Sequence, residues 1–200
     1  MFSGQVEFDR VGGGRRSAVA IACTINNYLR LRPLILSDAN ELFSLTETNR
    51  DYLRRWLPWL DDNPQREDTA QFIQRCLERE REQQEVVAAI CYDGRIVGLV
   101  GLHEIDWQSQ SAGVGYWLDE AQQGQGIMTA ACKALIENGF VALGLNRIEI
   151  RCAVGNKRSE AIAKRLGFTY EGQLRDAEWL YDHFVDHKVY SVLRREWTFE

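Results

Sequence analysis

The chain has 200 residues, 45% hydrophobic and 26% charged, which suits a single domain with a sizeable core. A net charge of −5 with no cluster of Lys and Arg argues against nucleic acid as the main ligand, since phosphate neutralisation needs such clusters. No stretch approaches the ~18 apolar residues that would span a bilayer, so no membrane partner is expected.

Five scattered cysteines (Cys23, Cys76, Cys91, Cys132, Cys152) form no C-x-x-C pair, and His103, His183 and His187 fall in no ligand frame. Neither a disulfide framework nor a metal site is expected, and a reducing cytoplasm fits best. Residues 15–25 faintly imitate a signal peptide, but the apolar run is short and follows Glu7 and Asp9. Gly12, Gly13 and Gly14 read as a flexible joint. Residues 1–24 are therefore expected to be an N-terminal extension and 25–200 a single domain.

Tyr28 to Arg32 alternates and stops at Pro33, as a short first strand would. Ser37 and Asp38 start a helix whose apolar side is Leu42, Phe43 and Leu45. An aromatic knot follows, Trp56-Leu57-Pro58-Trp59-Leu60, where proline interrupts any helix. After Pro64 a second helix places Thr69, Phe72, Ile73, Cys76 and Leu77 at helical spacing. Val86 to Cys91 and Arg95 to Leu102 read as a hairpin about Asp93-Gly94. A strand over 112–118 feeds a glycine loop and then a helix to about Val141. Ile148, Ile150 and Cys152 alternate with Arg147, Glu149 and Arg151 in the next strand. A short helix runs from Asn156 to a terminal Gly167, and strands near 168–175 and 184–193 close the domain. The order β-α-α-β-β-β-α-β-α-β-β predicts a mixed α/β sheet.

The chemistry-bearing feature is Gln123-Gly124-Gln125-Gly126-Ile127-Met128, between a strand and a helix. Glycines let the backbone approach a ligand with several N–H groups pointing into one concavity. The helix N-terminus behind them favours a diphosphate. A G-x-G alone equally suits an ordinary turn. There is no G-K-[ST] for a P-loop and no third glycine for a dinucleotide fingerprint.

From about residue 28 to the C-terminus the chain resembles the GNAT acetyltransferase superfamily, in its RimJ/RimL branch. The motifs that carry this are G-Y-W-L-D-E at 115–120, Q-G-Q-G-I-M at 123–128, N-x-x-S at 156–159, Gly167-Phe168, E-G-Q-L-R-D-A-E-W-L at 171–180 and R-x-W-L-P-W at 54–59. The resemblance implies a mixed, mostly antiparallel sheet with splayed central strands, flanked by helices, and acetyl-CoA as co-substrate. The pantetheine would lie between strands 112–118 and 147–154, paired with backbone near Trp117 and Leu118. The pyrophosphate would sit on Gln123, Gly124, Gln125, Gly126, Ile127 and Met128. The family's loop is Q/R-x-x-G-x-G/A, from which Met128 departs at the last position. Asn156 would border the pantetheine, and it also fits a plain N-cap.

Amide formation from a thioester needs a neutral amine, stabilised negative charge on the carbonyl oxygen, and a proton for the departing thiolate. The tyrosine that many superfamily members place on the short helix corresponds here to Ala163. The resemblance makes Ser159 the candidate acid and Glu178 the candidate base. Ser159 also suits a helix first turn, and Glu178 a solvated strand position. Glu104 and Glu171 are weaker candidate bases, and Cys132 and Cys152 read as core. Trp56 and Trp59, with Pro58, suit either core or the wall of an acceptor site. The branch implies transfer in a ternary complex to a protein N-terminus, with ribosomal proteins as the leading acceptor, and a homodimer. A small-amine acetyltransferase and a non-catalytic acyl-CoA sensor are the rival readings.

Overall fold

A computed structural model describes residues 21–199. The glycine joint at 12–14 and most of the signal-like run lie outside the described residues. The strands are β1 (Cys23–Thr24), β2 (Leu29–Pro33), β3 (Val86–Tyr92), β4 (Arg95–Asp106), β5 (Ser111–Leu118), β6 (Arg147–Ala153), β7 (Thr169–Leu180) and β8 (His183–Leu193). The helices are α1 (Ala39–Thr48), α2 (Arg50–Leu53), α3 (Arg66–Arg81), α4 (Ile127–Val141) and α5 (Lys157–Arg165). One eight-stranded sheet runs β1-β2-β3-β4-β5-β6-β8-β7. Every neighbouring pair is antiparallel except β5 and β6, which are parallel.

β3 is buried on both faces, and its alternation divides the core in two. Val87, Ala89 and Cys91 pack with Leu42 of α1 and with Ile73 and Cys76 of α3. Val86, Ala88 and Ile90 belong to the larger cluster, with Ala131, Cys132 and Leu135 of α4 and Ile162 and Ala163 of α5. Helices therefore cover both faces of the sheet. Ala163, at the position of the family's tyrosine, is fully buried.

Two differences from the sequence reading have clear causes. Cys23 and Thr24 pair with Leu31 and Arg30, so the sheet already includes residues from the stretch read as an extension. β7 runs five residues past its expected end. It lies at the sheet edge, exposed along most of its length, with register shifts after Tyr170 and Leu174, so no alternation marks its extent.

Candidate active site

The parallel pair is short. Ser111, Ala112 and Gly113 pair with Arg147, Ile148 and Glu149, and there the ladder ends. Beyond it, β5 stays paired with β4 alone and β6 with β8 alone. Gly98 of β4 accounts for part of this divergence. A Cβ there would lie 2.2 Å from the Trp117 carbonyl oxygen, so only glycine lets β5 press against β4, on the side away from β6. The inner edges of the two strands consequently face each other across a gap with unpaired backbone groups. An extended ligand with amide groups can use such edges as an added strand would. A cavity of about 1100 Å³ opens at this gap, and Trp117 and Leu118 on one side face Cys152 and Ala153 on the other.

At one end the cavity meets the glycine loop. Gly124 and Gly126 have φ of 77° and 79°, and Gly126 is the N-cap of α4. Both are in the left-handed region, where a Cβ is strained. The first N–H groups of α4 have no intrahelical acceptor and carry its positive dipole end. Met128 departs from the family pattern without consequence for this backbone cradle, because its side chain packs into the core. Gln123 accepts a hydrogen bond from Arg158. Gln125 is exposed, donates to Gln122 at 3.2 Å, and is not on the cavity wall. Lys133, Arg158 and Arg165 line this same end, and Arg165 donates to Thr129 Oγ1 at 2.8 Å. The loop, helix end and three cations make an anion-binding end.

In the middle of the cavity stand Asn156 and Ser159 of α5. The Asn156 side-chain Oδ1 accepts from the Ser159 N–H at 3.1 Å, so Asn156 does cap the helix, and it also lines the cavity. Ser159 Oγ lies 2.8 Å from the Tyr116 hydroxyl. Burial pushes the Tyr116 phenol far above its ordinary range, with Cys132 adding to the shift, so it stays neutral. Cys152 also lines the cavity, which the reading of it as core did not include. Burial, helped by Glu160, raises its thiol, and burial raises Cys132 as well, so neither presents a nucleophilic thiolate.

The far end holds Glu178 and Trp56. Glu178 Oε2 is 3.3 Å from His187 Nε2, and the two side chains are 30% and 15% exposed. Trp56 stands against Gly155. Trp59 is half-buried but is not among the residues lining the cavity; its carbonyl accepts from Asn63. The aromatic segment is tied to the β7–β8 turn by Tyr181, whose hydroxyl donates to the Leu57 carbonyl at 2.6 Å. The Arg54 guanidinium lies 3.8 Å over the Tyr181 ring. Of the weaker candidate bases, Glu171 is bound bidentately by Arg147 and by Ser191, which hold its carboxyl at about 2. Glu104 lies outside this cavity, in a smaller neighbouring one.

Residues 28–169 match the family model of the acetyltransferase (GNAT) domain. YdaF of Bacillus subtilis (strain 168), provisionally named a ribosomal N-acetyltransferase, is 36% identical over 89% of this chain and 98% of its own. The chain belongs to the GNAT acetyltransferase family. The ribosomal-protein-serine acetyltransferase of Escherichia coli (strain K12) is 30% identical to this acetyltransferase over 84% of the chain and 93% of its own length. Among solved structures, RimL, a ribosomal L7/L12 alpha-N-protein acetyltransferase in complex with coenzyme A, superposes with a TM-score of 0.84. That similarity covers 86% of this chain and 98% of RimL at 28% identity.

The acetyltransferase uses acetyl-CoA as its acyl donor, and the cavity suits that molecule: an anion-binding end, a strand-edged slot and a hydroxyl pair in sequence. Among the described residues no group of three or more His, Cys, Asp or Glu could hold a metal ion, and no helix is long and apolar enough to cross a membrane. Sequence reasoning missed Tyr116, His187 and the three cations. Arg158 and Arg165 had a signal, being seven residues apart and so on one helical face. Tyr116 and His187 had none, since their partners are 43 and 9 residues away on other elements.

Proposed function

We propose that this acetyltransferase acetylates the N-terminal amine of a protein, with a ribosomal protein as acceptor, by direct attack in a ternary complex. The observation that carries the reading is the pairing of a carboxylate with imidazole, Glu178–His187, at one end of a cavity whose middle holds the hydroxyl pair Ser159–Tyr116. Acetyl-CoA supplies the activated acetyl group. Glu178 accepts the proton from the incoming ammonium, and His187 orients the carboxylate. Ser159 donates a hydrogen bond to the departing sulfur, and Tyr116 supports that hydroxyl. Backbone near Trp117 and Leu118 aligns the pantetheine, Asn156 borders it, the loop 123–128 holds the pyrophosphate, and Trp56 forms an apolar wall beside the acceptor. The names of the E. coli relative and of RimL support a ribosomal acceptor.

Intact-mass spectrometry tests this: ribosomal proteins incubated with the enzyme and acetyl-CoA should gain one acetyl group, mapped to an α-amine. Acetylation confined to small amines, or none at all, would reject the acceptor assignment. The buried, unpaired cysteines support a reducing cytoplasm as its compartment, which fractionation of cells checks. The branch resemblance supports a homodimer, and a one-chain mass by light scattering would remove that assignment.

A further inference from the structure

A second cavity, of about 280 Å³, adjoins the first, and the two share Val114, Gly115 and Arg151 in their walls. On β6, Arg147, Glu149 and Arg151 alternate with the core residues Ile148, Ile150 and Cys152, so they lie on the face away from α4. Their charges are unequally used. Arg147 is engaged by Glu171 and Glu149, and Glu149 also accepts from Arg151 Nε. The terminal guanidinium nitrogens of Arg151 have no acceptor among the described residues, and its side chain is 53% exposed. A two-fork cation thus stands on the wall common to both cavities.

Its distance from the reaction centre follows from the strand register. Arg151 pairs with Val189 and Ala153 with His187, so Arg151 and His187 are diagonal neighbours on one face, about 7–8 Å apart. His187 touches Glu178. An extended chain advances about 3.3–3.6 Å per residue, so Arg151 is within reach of the second or third residue of an acceptor whose amine meets Glu178 and whose chain runs along this face.

Resting on the protein-acceptor reading above, we infer that Arg151 selects acceptors with a carboxylate side chain at the second or third residue. A guanidinium binds a carboxylate through two parallel N–H bonds, and it repels a lysine placed there.

The test uses the full chain with acetyl-CoA and synthetic octapeptides of identical sequence except for Asp, Ala or Lys at residues two and three. The wild type should use the Asp peptides about five- to tenfold better in kcat/KM than the Lys peptides, the scale of a partly exposed charge pair. The preference should shrink in 0.5 M salt. Arg151→Glu should reverse the order, and Arg151→Lys should keep it in weaker form, with the KM for acetyl-CoA unchanged in both. Equal use of all peptides by the wild type overturns the inference alone. So does an Arg151→Glu enzyme that still favours Asp, or one whose only defect is in the acetyl-CoA KM. Failure to acetylate any peptide while a small amine is turned over overturns the acceptor reading, and this inference with it.

Discussion

Replacing Glu178 with glutamine keeps size and hydrogen bonding but removes the proton acceptor. General-base catalysis contributes about 10²–10⁴-fold. Glu178 is 30% exposed, so water can partly take over, and the loss should fall near the low end, about 10²-fold or about 2.7 kcal/mol of barrier. Deprotonating the free amine cannot account for all of this. An α-amine has a pKa of about 7.7–8.0, so roughly a tenth to a sixth of it is already neutral at pH 7. Ground-state deprotonation is therefore worth at most about tenfold, and the remainder must come from accepting the proton as the bond forms. The assay is the pH dependence of kcat/KM for a peptide acceptor from pH 6 to 10. In Glu178→Gln the rate should climb about tenfold per pH unit and level near pH 8, where an α-amine becomes neutral. For a lysine-like amine the climb would continue to about pH 10.4. His187→Gln should lose less, under about tenfold, because the carboxylate remains and only its orientation is relaxed. Near-normal turnover in Glu178→Gln with an unchanged pH profile would refute the assignment, leaving water as the proton acceptor.

The loop and the fold carry further predictions. Gly126→Val places a β-branched residue at φ 79°, where a Cβ meets no neighbour within 4 Å, so the chain should still fold. The left-handed strain, about 1–2 kcal/mol or more, and the bulk facing the cavity should weaken CoA binding at least tenfold by calorimetry; unchanged affinity would dismiss the loop assignment. Glu171 is held at about 2 by Arg147 and Ser191, below its ordinary 4.5. Its stabilising contribution is thus full above about pH 4.5 and is lost as pH falls toward 2. Glu171→Gln should lower Tm by about 1–3 °C at pH 7, with the gap closing across that window, as thermal melts at several pH values would show.

The elements whose residues report their own burial were readable from sequence. The Val86–Cys91 and Arg95–Leu102 hairpin, the α3 stripe from Thr69 to Leu77 and the alternation at 147–152 all match observed elements. The glycine loop was readable because left-handed φ at Gly124 and Gly126 restricts the residue type. The reach of β7 was not, because an exposed edge strand selects no period. Trp59, open in the sequence between core and acceptor wall, lies off the cavity wall; a tryptophan beside a proline looks the same whether it faces a cavity or the fold.

The proton-handling pairs were hidden for a more general reason: each joins two elements, and its formation depends on strand register. Tyr116 meets Ser159 only because its strand puts it on the α5 side of the sheet, while its neighbour Trp117 packs toward α1 and α3. His187 meets Glu178 only because β8 pairs Leu174 with His187 and Glu178 with Val185 across an irregular stretch of β7. A slip of one residue in β8 would carry His187 to the opposite face and set Lys188 in its place. In the native register Lys188 instead donates to the buried Glu160 at 2.8 Å, where Tyr190, also on β8, donates at 2.9 Å to the same carboxylate. A slipped strand would leave that carboxylate buried without two of its partners, a costly state. The Glu160 cluster on the core side therefore pins the register that delivers His187 to Glu178 on the other. A residue with no place in the chemistry thus helps determine the geometry of the base.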